Sequence, residues 1–284
     1  VIQSAASLSK PRSVIVTGMG GSAISGRILE ALASASGSIP VFTTRGYKIP
    51  VWASSADVVV AMSCSGTTEE TISAAHDAVQ RGCQLVAITT AGSPLATFSA
   101  EVRGALTLTI NARGLMPRAS MWTLLTPLLM LANELKVITL SESDLLSTAD
   151  LIDSISRDCA VERVTDENPA KLLALQLAPA IPMVWGTGVF ADAVAYRFTS
   201  QLAENAKLVA VHGEIPESQH NQVVVFDGPL AEAAQENIFE DLEGVANAQL
   251  RLVLLRDNHE SEPISRRASI VSEIAQRRKV PVSS

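Results

Sequence analysis

Short apolar runs alternate with amphipathic stretches along this chain, and that alternation constrains its fold more than any other feature. The runs SVIVTG (13–18), ADVVVAMS (56–63) and QLVAITT (84–90) are each followed by residues with the apolar spacing of a helix. Strands that read as continuous apolar runs are typical of parallel sheets, because helices cover both faces of such sheets. The pattern predicts an α/β fold of three layers, a mainly parallel sheet flanked by helices, of the flavodoxin-like type.

The alternation starts again in the second half of the chain. We predict further strands at IPMVWGTG (181–188), NQVVVFDG (221–228) and LRLVLLRD (250–257). Residues 14–32 and 183–202 both run from a strand through a glycine turn into a helix, which indicates a duplication. The predicted parts are a first α/β domain at 1–137, a helical connector at 138–167, and a second α/β domain at 168–284 that is expected to be incomplete at its C-terminus.

Composition and charge exclude several classes of protein. The 284 residues are 47% hydrophobic, enough to bury a substantial core. The net charge is −7 and the basic residues are scattered, which argues against partners such as nucleic acid or a membrane surface. The three cysteines lack the spacing of a disulfide framework or a metal site, so a reducing cytoplasm and no metal are predicted. No apolar run reaches the length of a membrane span, and no signal peptide is recognisable.

A glycine-rich turn, GMGGSAISG (18–26), follows the first predicted strand and opens a helix. Its spacing fits only a permissive dinucleotide fingerprint, and no acidic residue ends the second strand, so a dinucleotide site is disfavoured. Glycine lets a ligand approach the backbone at Gly20 and Gly21, and a helix N-terminus favours anions. We interpret the turn as a ligand-binding element to which Ser22 adds a hydroxyl. The alternative is a tight strand-to-helix connection alone.

Hydroxyl side chains are concentrated in the next strand-to-helix turn, SCSGTTEET (63–71). Ser63, Ser65, Thr67 and Thr68 lie on the loop and the first helical turn, at the edge where doubly wound sheets bind ligands. Hydroxyls and the unpaired N–H groups of a helix start can all donate to phosphate oxygens. Helix capping explains one such hydroxyl but not four. The pattern therefore predicts an uncharged phosphate site, and the absence of a Walker A sequence disfavours nucleoside triphosphates.

The two turns, in this order, resemble the sugar-isomerase (SIS) domain, which binds phosphosugars. The segments GLMPRASMWTLLTPLL (114–129), QLAENAK (201–207) and IPESQHNQVVVF (215–226) extend the resemblance to the bifunctional phosphoglucose/phosphomannose isomerase family, whose members contain two SIS domains. The resemblance extends over nearly the whole chain. It implies a cofactor-free aldose–ketose isomerase that interconverts glucose 6-phosphate, mannose 6-phosphate or both with fructose 6-phosphate through an enediolate.

Carried over position by position, the resemblance implies a role for each matching residue. The residues that would hold the substrate phosphate are Ser22, Ser63, Ser65 and Thr68. Arg118 would face the reacting carbons, Glu204 would be the catalytic base, and His220 would assist ring opening. In that family the histidine reaches the active site of the other subunit, so the resemblance implies a homodimer.

These residue types suit the chemistry, although each also has a structural interpretation. Proton transfer between C1 and C2 requires a base, and burial beside an apolar helix would make Glu204 a stronger one; a solvated helix-end glutamate is the alternative. Arg118 follows Pro117 at the start of an apolar helix predicted at 118–135, where a cation is unfavourable unless an anion lies nearby. An exposed ion pair is the alternative there.

The histidines differ in their predicted settings. His220 lies between GEIPES and the predicted strand QVVVF, at a loop-to-strand junction, where it could serve catalysis or anchor the loop. His212 is assigned to a polar loop. A second function also stays open, because a non-catalytic phosphosugar sensor or regulatory SIS protein would use the same phosphate site. Such a protein would bind a phosphosugar without turning it over.

Overall fold

The computed structural model describes residues 8–112, 114–231 and 249–284. The chain forms two compact units, Val1–Ser141 and Glu142–Ser284, which we call unit 1 and unit 2 and describe separately. The division between them falls within the predicted connector (138–167). The domain boundaries given by the sequence stay a prediction.

Unit 1 contains one parallel sheet with helices on both faces. Its strands are β1 (Val14–Gly18), β2 (Val41–Thr44), β3 (Val58–Ser63), β4 (Gln84–Thr90) and β5 (Leu106–Ile110). Its helices are α1 (Gly21–Ser36), α2 (Glu69–Gln80), α3 (Pro94–Glu101) and α4 (Met121–Glu134). The strand order is β2-β1-β3-β4-β5 and all neighbours are parallel, so the winding reverses between β1 and β3. The predicted α/β fold is confirmed.

The packing of unit 1 explains why its strands read as apolar runs. Val14 and Val16 of β1 belong to one buried cluster with Leu124 of α4. Ile15, which lies between them in sequence, belongs to a different buried cluster with Ala74 of α2. Successive strand residues point to opposite faces of a sheet, so helices on both faces require apolar residues at every position.

A buried carboxylate fixes the start of β3. The fully buried Asp57 accepts hydrogen bonds from Nε and Nη2 of Arg12 at 3.0 and 2.6 Å. The Ser13 hydroxyl at 2.8 Å and the Ser54 backbone N–H at 2.9 Å also donate to it. Burial by itself raises the pKa of Asp57, but these hydrogen bonds and the charge of Arg12 outweigh burial, so the pKa lies below its ordinary value.

Unit 1 is therefore expected to lose stability in acid through Asp57. A carboxyl whose pKa is lower in the folded chain than in the unfolded chain stabilises the fold at neutral pH. That contribution declines as the pH falls below the unfolded value and is lost once the pH passes the folded value. Urea unfolding between about pH 7 and about pH 3 measures the decline.

The matched variant for this prediction is Asp57→Asn. It should be less stable than the wild type at neutral pH by roughly 1–3 kcal/mol, because it loses hydrogen bonds to a charged group. Its stability should also change less on acidification, since the titrating carboxyl is gone. An acid decline as steep in the variant as in the wild type would contradict the assignment to Asp57.

Unit 2 contains a smaller parallel sheet in the order β7-β6-β8-β9. Its strands are β6 (Ala180–Thr187), β7 (Val211–Ile215), β8 (Gln249–Leu255) and β9 (Val282–Ser283). Its helices are α5 (Glu142–Asp158), α6 (Pro169–Leu177), α7 (Gly188–Gln201), α8 (Ser218–Asn221) and α9 (Glu262–Arg277). One turn of π-helix, Leu202–Ala206, extends α7. Across the described parts of both units, no helix has the length and apolar character needed to cross a membrane.

The predicted strand NQVVVFDG (221–228) is wrong, because Val223–Asp227 form a 3₁₀-helix that follows α8. Phe226 is buried with its ring centroid 5.8 Å from that of Trp185, whereas Val224 is exposed. Residues three apart share a face of a 3₁₀-helix, so one buried residue in three is enough to pack it. A run of three valines fits this period as well as that of a strand.

Candidate functional site

Two strand-to-helix turns lie side by side at the carboxyl edge of the unit 1 sheet. Strands β1 and β3 are neighbours, with Gly18 paired to Met62, so the β1–α1 and β3–α2 turns leave the sheet together. The winding of the sheet reverses between these strands, and open α/β sheets bind ligands in the crevice at such a point. The two turns singled out from the sequence therefore form one candidate site.

The side-chain hydroxyls of the β3–α2 turn form one connected group. Ser63 Oγ lies 2.8 Å from Thr68 Oγ1 and 3.5 Å from Ser65 Oγ. Ser65 Oγ in turn lies 3.0 Å from Thr67 Oγ1. The Gly66 backbone N–H donates to Ser63 Oγ at 2.9 Å, which holds the loop around that hydroxyl. We call Ser63, Ser65, Thr67 and Thr68 the hydroxyl cradle.

Helix capping does not account for the cradle. Thr68 is the N-cap residue of α2, yet its side chain makes no capping hydrogen bond within the described structure and contacts Ser63 Oγ instead. Ser93, the N-cap residue of α3, shows the usual arrangement, because its hydroxyl accepts from the Ala96 N–H at 3.3 Å. Hydroxyls that can both donate and accept, at the positive end of a helix, suit an anion such as phosphate.

The β4–α3 loop, which is not part of the site predicted from the sequence, supports the cradle. Gly66 has φ +68°, and a Cβ at this position would lie 2.1 Å from Ser93 Oγ of the β4–α3 loop. At the end of β4, immediately before this loop, Thr90 Oγ1 donates to the Cys64 carbonyl at 2.6 Å. The cradle is therefore packed against the β4–α3 loop, and only glycine fits at the contact. The sequence feature that indicates this loop is TTAGSP (89–94), a third hydroxyl- and glycine-rich turn after a buried strand.

The β1–α1 turn brings Ser22 to the same edge. Gly20 has φ +53°, and Gly21 is the first residue of α1. A Cβ on Gly18 would lie 2.7 Å from Ser22 Cβ and 2.9 Å from the Met62 carbonyl oxygen, so Ser22 stands beside the end of β3, where the cradle begins. The structure thus brings this turn and the cradle together, and their role in phosphate binding stays a prediction.

Arg118 belongs to unit 1 but does not lie in a helix that begins at residue 118. Pro117–Ala119 form a 3₁₀ turn, and α4 starts at Met121 rather than at 118 as the apolar pattern predicts. Arg118 is half-buried, whereas the neighbouring Met116 is exposed. The 3₁₀ turn gives the arginine a position before the first turn of α4. Its role towards the reacting carbons stays a prediction.

Glu204 lies on the π-helical turn that extends α7 in unit 2. Such turns are rare and occur frequently at functional sites. Glu204 is exposed in unit 2, so this unit by itself does not provide the burial that would make the carboxylate a stronger base. Its role as the catalytic base stays a prediction. The turn ends at Lys207, which has φ +59° and whose Nζ donates to the Glu204 carbonyl at 2.5 Å. The backbone of the candidate base is thus held while its side chain stays accessible.

A charged residue close to Glu204 was not singled out from the sequence. Arg197 is half-buried on α7. Burial lowers the pKa of Arg197, whereas the charge of Glu204 raises it. With its amide assigned from the hydrogen-bond network, the Gln201 oxygen accepts from Nη2 and Nη1 of Arg197 at 2.5 and 2.9 Å. The missed signal is the spacing of Arg197, Gln201 and Glu204, which places all three along one side of a helix.

His220 lies in α8, a single helical turn, and not at the loop-to-strand junction that the sequence predicts. The reason is the 3₁₀-helix that replaces the predicted strand after it. His220 is exposed, whereas Ser218 is buried and its hydroxyl donates to the Glu214 carbonyl at 2.9 Å. Helix α8 is thereby attached to β7, and Glu204 and His220 occupy separate elements of unit 2.

The prediction that His212 lies in a polar loop is wrong, because the residue belongs to β7. Its Nε2 is 2.5 Å from Oδ1 of the nearly buried Asp192 of α7, and its ring meets that of Tyr196 edge-on at 5.5 Å. These contacts join a strand to a helix within unit 2. They account for His212 as part of the packing between β7 and α7.

Sequence comparisons match each half of the chain to a known family. The family described as SIS domain matches residues 7–133. The family described as bacterial phospho-glucose isomerase C-terminal SIS domain matches residues 166–284. A solved structure of a hypothetical protein from Thermus thermophilus has a similar fold, with a TM-score of 0.68, 17% identity, and coverage of 99% of this chain and 74% of that chain.

Two curated relatives carry the same name, bifunctional phosphoglucose/phosphomannose isomerase. The protein from Caldicellulosiruptor bescii is 36% identical over 216 residues, which cover 76% of this chain and 63% of that protein. The protein from Thermoplasma acidophilum is 31% identical over 213 residues, which cover 74% of this chain and 61% of that protein. The matched part of this chain thus spans less than two thirds of the length of either relative.

The parallel sheets, the hydroxyl cradle and the two family matches together define the class, since both halves of the chain are SIS domains. The relatives make the assignment more specific. The chain belongs to the bifunctional phosphoglucose/phosphomannose isomerase family.

Proposed function

We propose that this chain is an aldose–ketose isomerase that interconverts glucose 6-phosphate, mannose 6-phosphate or both with fructose 6-phosphate. The observation that carries the proposal is the hydroxyl cradle, whose side chains are not used to cap α2 and lie where a sheet of this topology binds ligands. Family membership supplies the reaction class. The names of the curated relatives include both hexose phosphates.

In the proposed reaction, the cradle and Ser22 hold the phosphate while the reacting carbons meet charged side chains. Glu204 takes the proton from C2 of the open-chain aldose, which leaves an enediolate. The hydroxyl proton then moves from O2 to O1, and Glu204 returns its proton to C1 to give the ketose. The guanidinium of Arg118 stabilises the negative charge of the enediolate, because it stays protonated and can donate two parallel hydrogen bonds. His220 moves a proton between the ring oxygen and the anomeric hydroxyl to open the sugar ring.

We further propose that the active form is a cytoplasmic homodimer in which His220 serves the active site of the partner. The exposure of His220 on the surface of unit 2 is consistent with this arrangement. Light scattering combined with activity across a dilution series tests it. Activity per chain should fall as the dimer dissociates, and full activity of a monomer would contradict the proposal.

Activity is tested by coupling fructose 6-phosphate formation to a dehydrogenase assay, with glucose 6-phosphate and mannose 6-phosphate supplied separately. Turnover of either sugar supports the proposed function. Tight binding of both sugars without turnover would instead support a non-catalytic phosphosugar sensor. The exposure of Glu204 in unit 2 favours that second candidate, because a proton-transferring carboxylate is usually shielded from water.

The cradle makes a separate prediction about Thr68→Val. This change removes a hydroxyl that binds phosphate in the proposal but does not cap α2. We expect the affinity for 6-phosphogluconate to fall roughly 10- to 100-fold, the usual effect of losing a hydrogen bond to a charged group. The free energy of unfolding should change by no more than about 1 kcal/mol.

Calorimetric titration and urea unfolding measure the two effects of Thr68→Val. The matched control is Thr148→Val on α5 of unit 2, which removes a hydroxyl that donates to the Asp144 carbonyl at 2.7 Å. The control should leave phosphosugar affinity unchanged. Equal affinity of the Thr68 variant and the wild type would remove Thr68 from the phosphate site.

A further inference from the structure

Side-chain hydrogen bonds hold the short helix that carries His220 on both sides of that residue. Before it, the Ser218 hydroxyl donates to the Glu214 carbonyl at 2.9 Å. After it, Asn221 Nδ2 donates to Glu217 Oε1 at 2.8 Å, and Gln222 Nε2 donates to the His212 carbonyl at 3.1 Å. These bonds attach the residues around His220 to β7 and to the turn before α8.

His220 itself differs from these neighbours. Its side chain makes no hydrogen bond to any residue in the described part of the chain, and it is exposed. The direction of the imidazole therefore depends on how firmly α8 is held. Helix α8 has four residues, and so short a helix is not stable without contacts to the rest of the protein.

Gln219, the residue immediately before His220, connects α8 to a much longer helix. Its Nε2 donates to the Arg267 carbonyl at 2.8 Å, and Nη1 of Arg267 donates back to Gln219 Oε1 at 3.3 Å. Arg267 lies on the 16-residue α9, next to Ala268, which is completely buried in the core of unit 2. The contact thus joins a single turn of helix to an element anchored in the core.

We infer that Gln219 and Arg267 form a clamp that positions His220 for ring opening. The inference rests on the proposed function, in which His220 moves the ring-opening proton. Neither clamp residue is assigned contact with substrate, so both are positioning residues. Without the clamp, α8 would retain its bonds to β7 but would lose its attachment to α9, and the imidazole would no longer keep one position relative to the sugar ring.

The first test is Gln219→Met, which keeps the length of the side chain and removes both hydrogen bonds of the clamp. We expect kcat/KM for glucose 6-phosphate to fall about 10- to 100-fold, since displacing a catalytic group by about 1 Å can cost up to about 10²-fold. Ring opening would then limit the rate, so the kinetic isotope effect of substrate deuterated at C2 should decline towards 1. Arg267→Met removes only one of the two bonds and should show a smaller fall.

The isotope effect separates positioning from a loss of stability. A variant that is merely less folded has fewer active molecules with an unchanged isotope effect, and that result would overturn the inference. The matched control is Gln276→Met, at an exposed position of the same helix α9. It should retain both the wild-type rate and the wild-type isotope effect.

The second test does not require turnover. The backbone amide order parameter of His220, measured by NMR relaxation, should fall in Gln219→Met from about 0.85, typical of rigid backbone, to below about 0.6. An unchanged order parameter would overturn the clamp even if the wild type proves inactive. Absence of turnover with a clear fall in the order parameter would instead contradict the proposed function and leave the clamp supported.

Discussion

Replacing Glu204 with Gln is expected to lower kcat by about 10²- to 10⁴-fold, the contribution usual for a positioned general base. Glutamine has nearly the same shape as glutamate but cannot accept the C2 proton. The phosphate site proposed in unit 1 does not include Glu204. The affinity for phosphosugar should therefore change little, so that the loss appears in kcat rather than in binding.

Three measurements check the prediction for Glu204→Gln. The coupled assay gives kcat, titration with 6-phosphogluconate gives affinity, and deuterium uptake at C2 from heavy water reports proton abstraction directly. The matched control is Glu273→Gln on α9, where an exposed carboxylate lies 3.5 Å from Arg277. Wild-type turnover in Glu204→Gln, or deuterium uptake at the wild-type rate, would remove Glu204 from the role of base.

The fold of unit 1 could be predicted from the sequence because its central strands are buried on both faces. All six residues of β3 are buried, and this produces an apolar run that no surface element would contain. Strand β2 was not predicted. It has only four residues at the edge of the sheet, and one of them, Phe42, is exposed. A short edge strand lacks the pattern on which the prediction depended.

The secondary structure of unit 2 is harder to predict from the sequence because tertiary contacts determine the conformation of its short elements. Phe226 is buried beside Trp185, a residue far away in the sequence, and this packing favours a 3₁₀-helix over the strand that three valines suggest. His212 is followed by Gly213 and Glu214, residue types that are uncommon in strands, yet β7 pairs with β6 along its whole length. The secondary-structure propensity of a short segment gives no information about such contacts with distant segments.

The candidate site divides in a similar way. The cradle residues were identifiable because several hydroxyls in one turn exceed what a helix cap requires. The packing of the β4–α3 loop against the cradle could not be predicted, since the contact between Gly66 and Ser93 joins two loops that follow different strands. The sequence also left open whether Glu204 is buried or exposed in unit 2, because a helical pattern shows which residues share a face but not what covers that face.

Gly66→Ala is expected to damage the phosphate site more than the loss of any single cradle hydroxyl. The new Cβ would lie 2.1 Å from Ser93 Oγ and 2.3 Å from Ser93 Cβ, far inside van der Waals contact, so one of the two loops must move. Alanine at φ +68° adds strain of its own. We expect the free energy of unfolding to fall by roughly 2–4 kcal/mol, and phosphosugar affinity to fall more than in Thr68→Val.

Gly104→Ala separates the steric clash from the backbone strain. Gly104 has φ +80°, but a Cβ there would meet no heavy atom within 4 Å. The free energy of unfolding of this control should fall by only about 1–2 kcal/mol, the cost of an alanine in the left-handed conformation. Its affinity for 6-phosphogluconate should stay unchanged. Urea unfolding and calorimetric titration of both variants give the comparison. Equal affinities in the two variants would show that the close contact between Gly66 and Ser93 does not shape the phosphate site, because the strain common to both would then explain the whole effect.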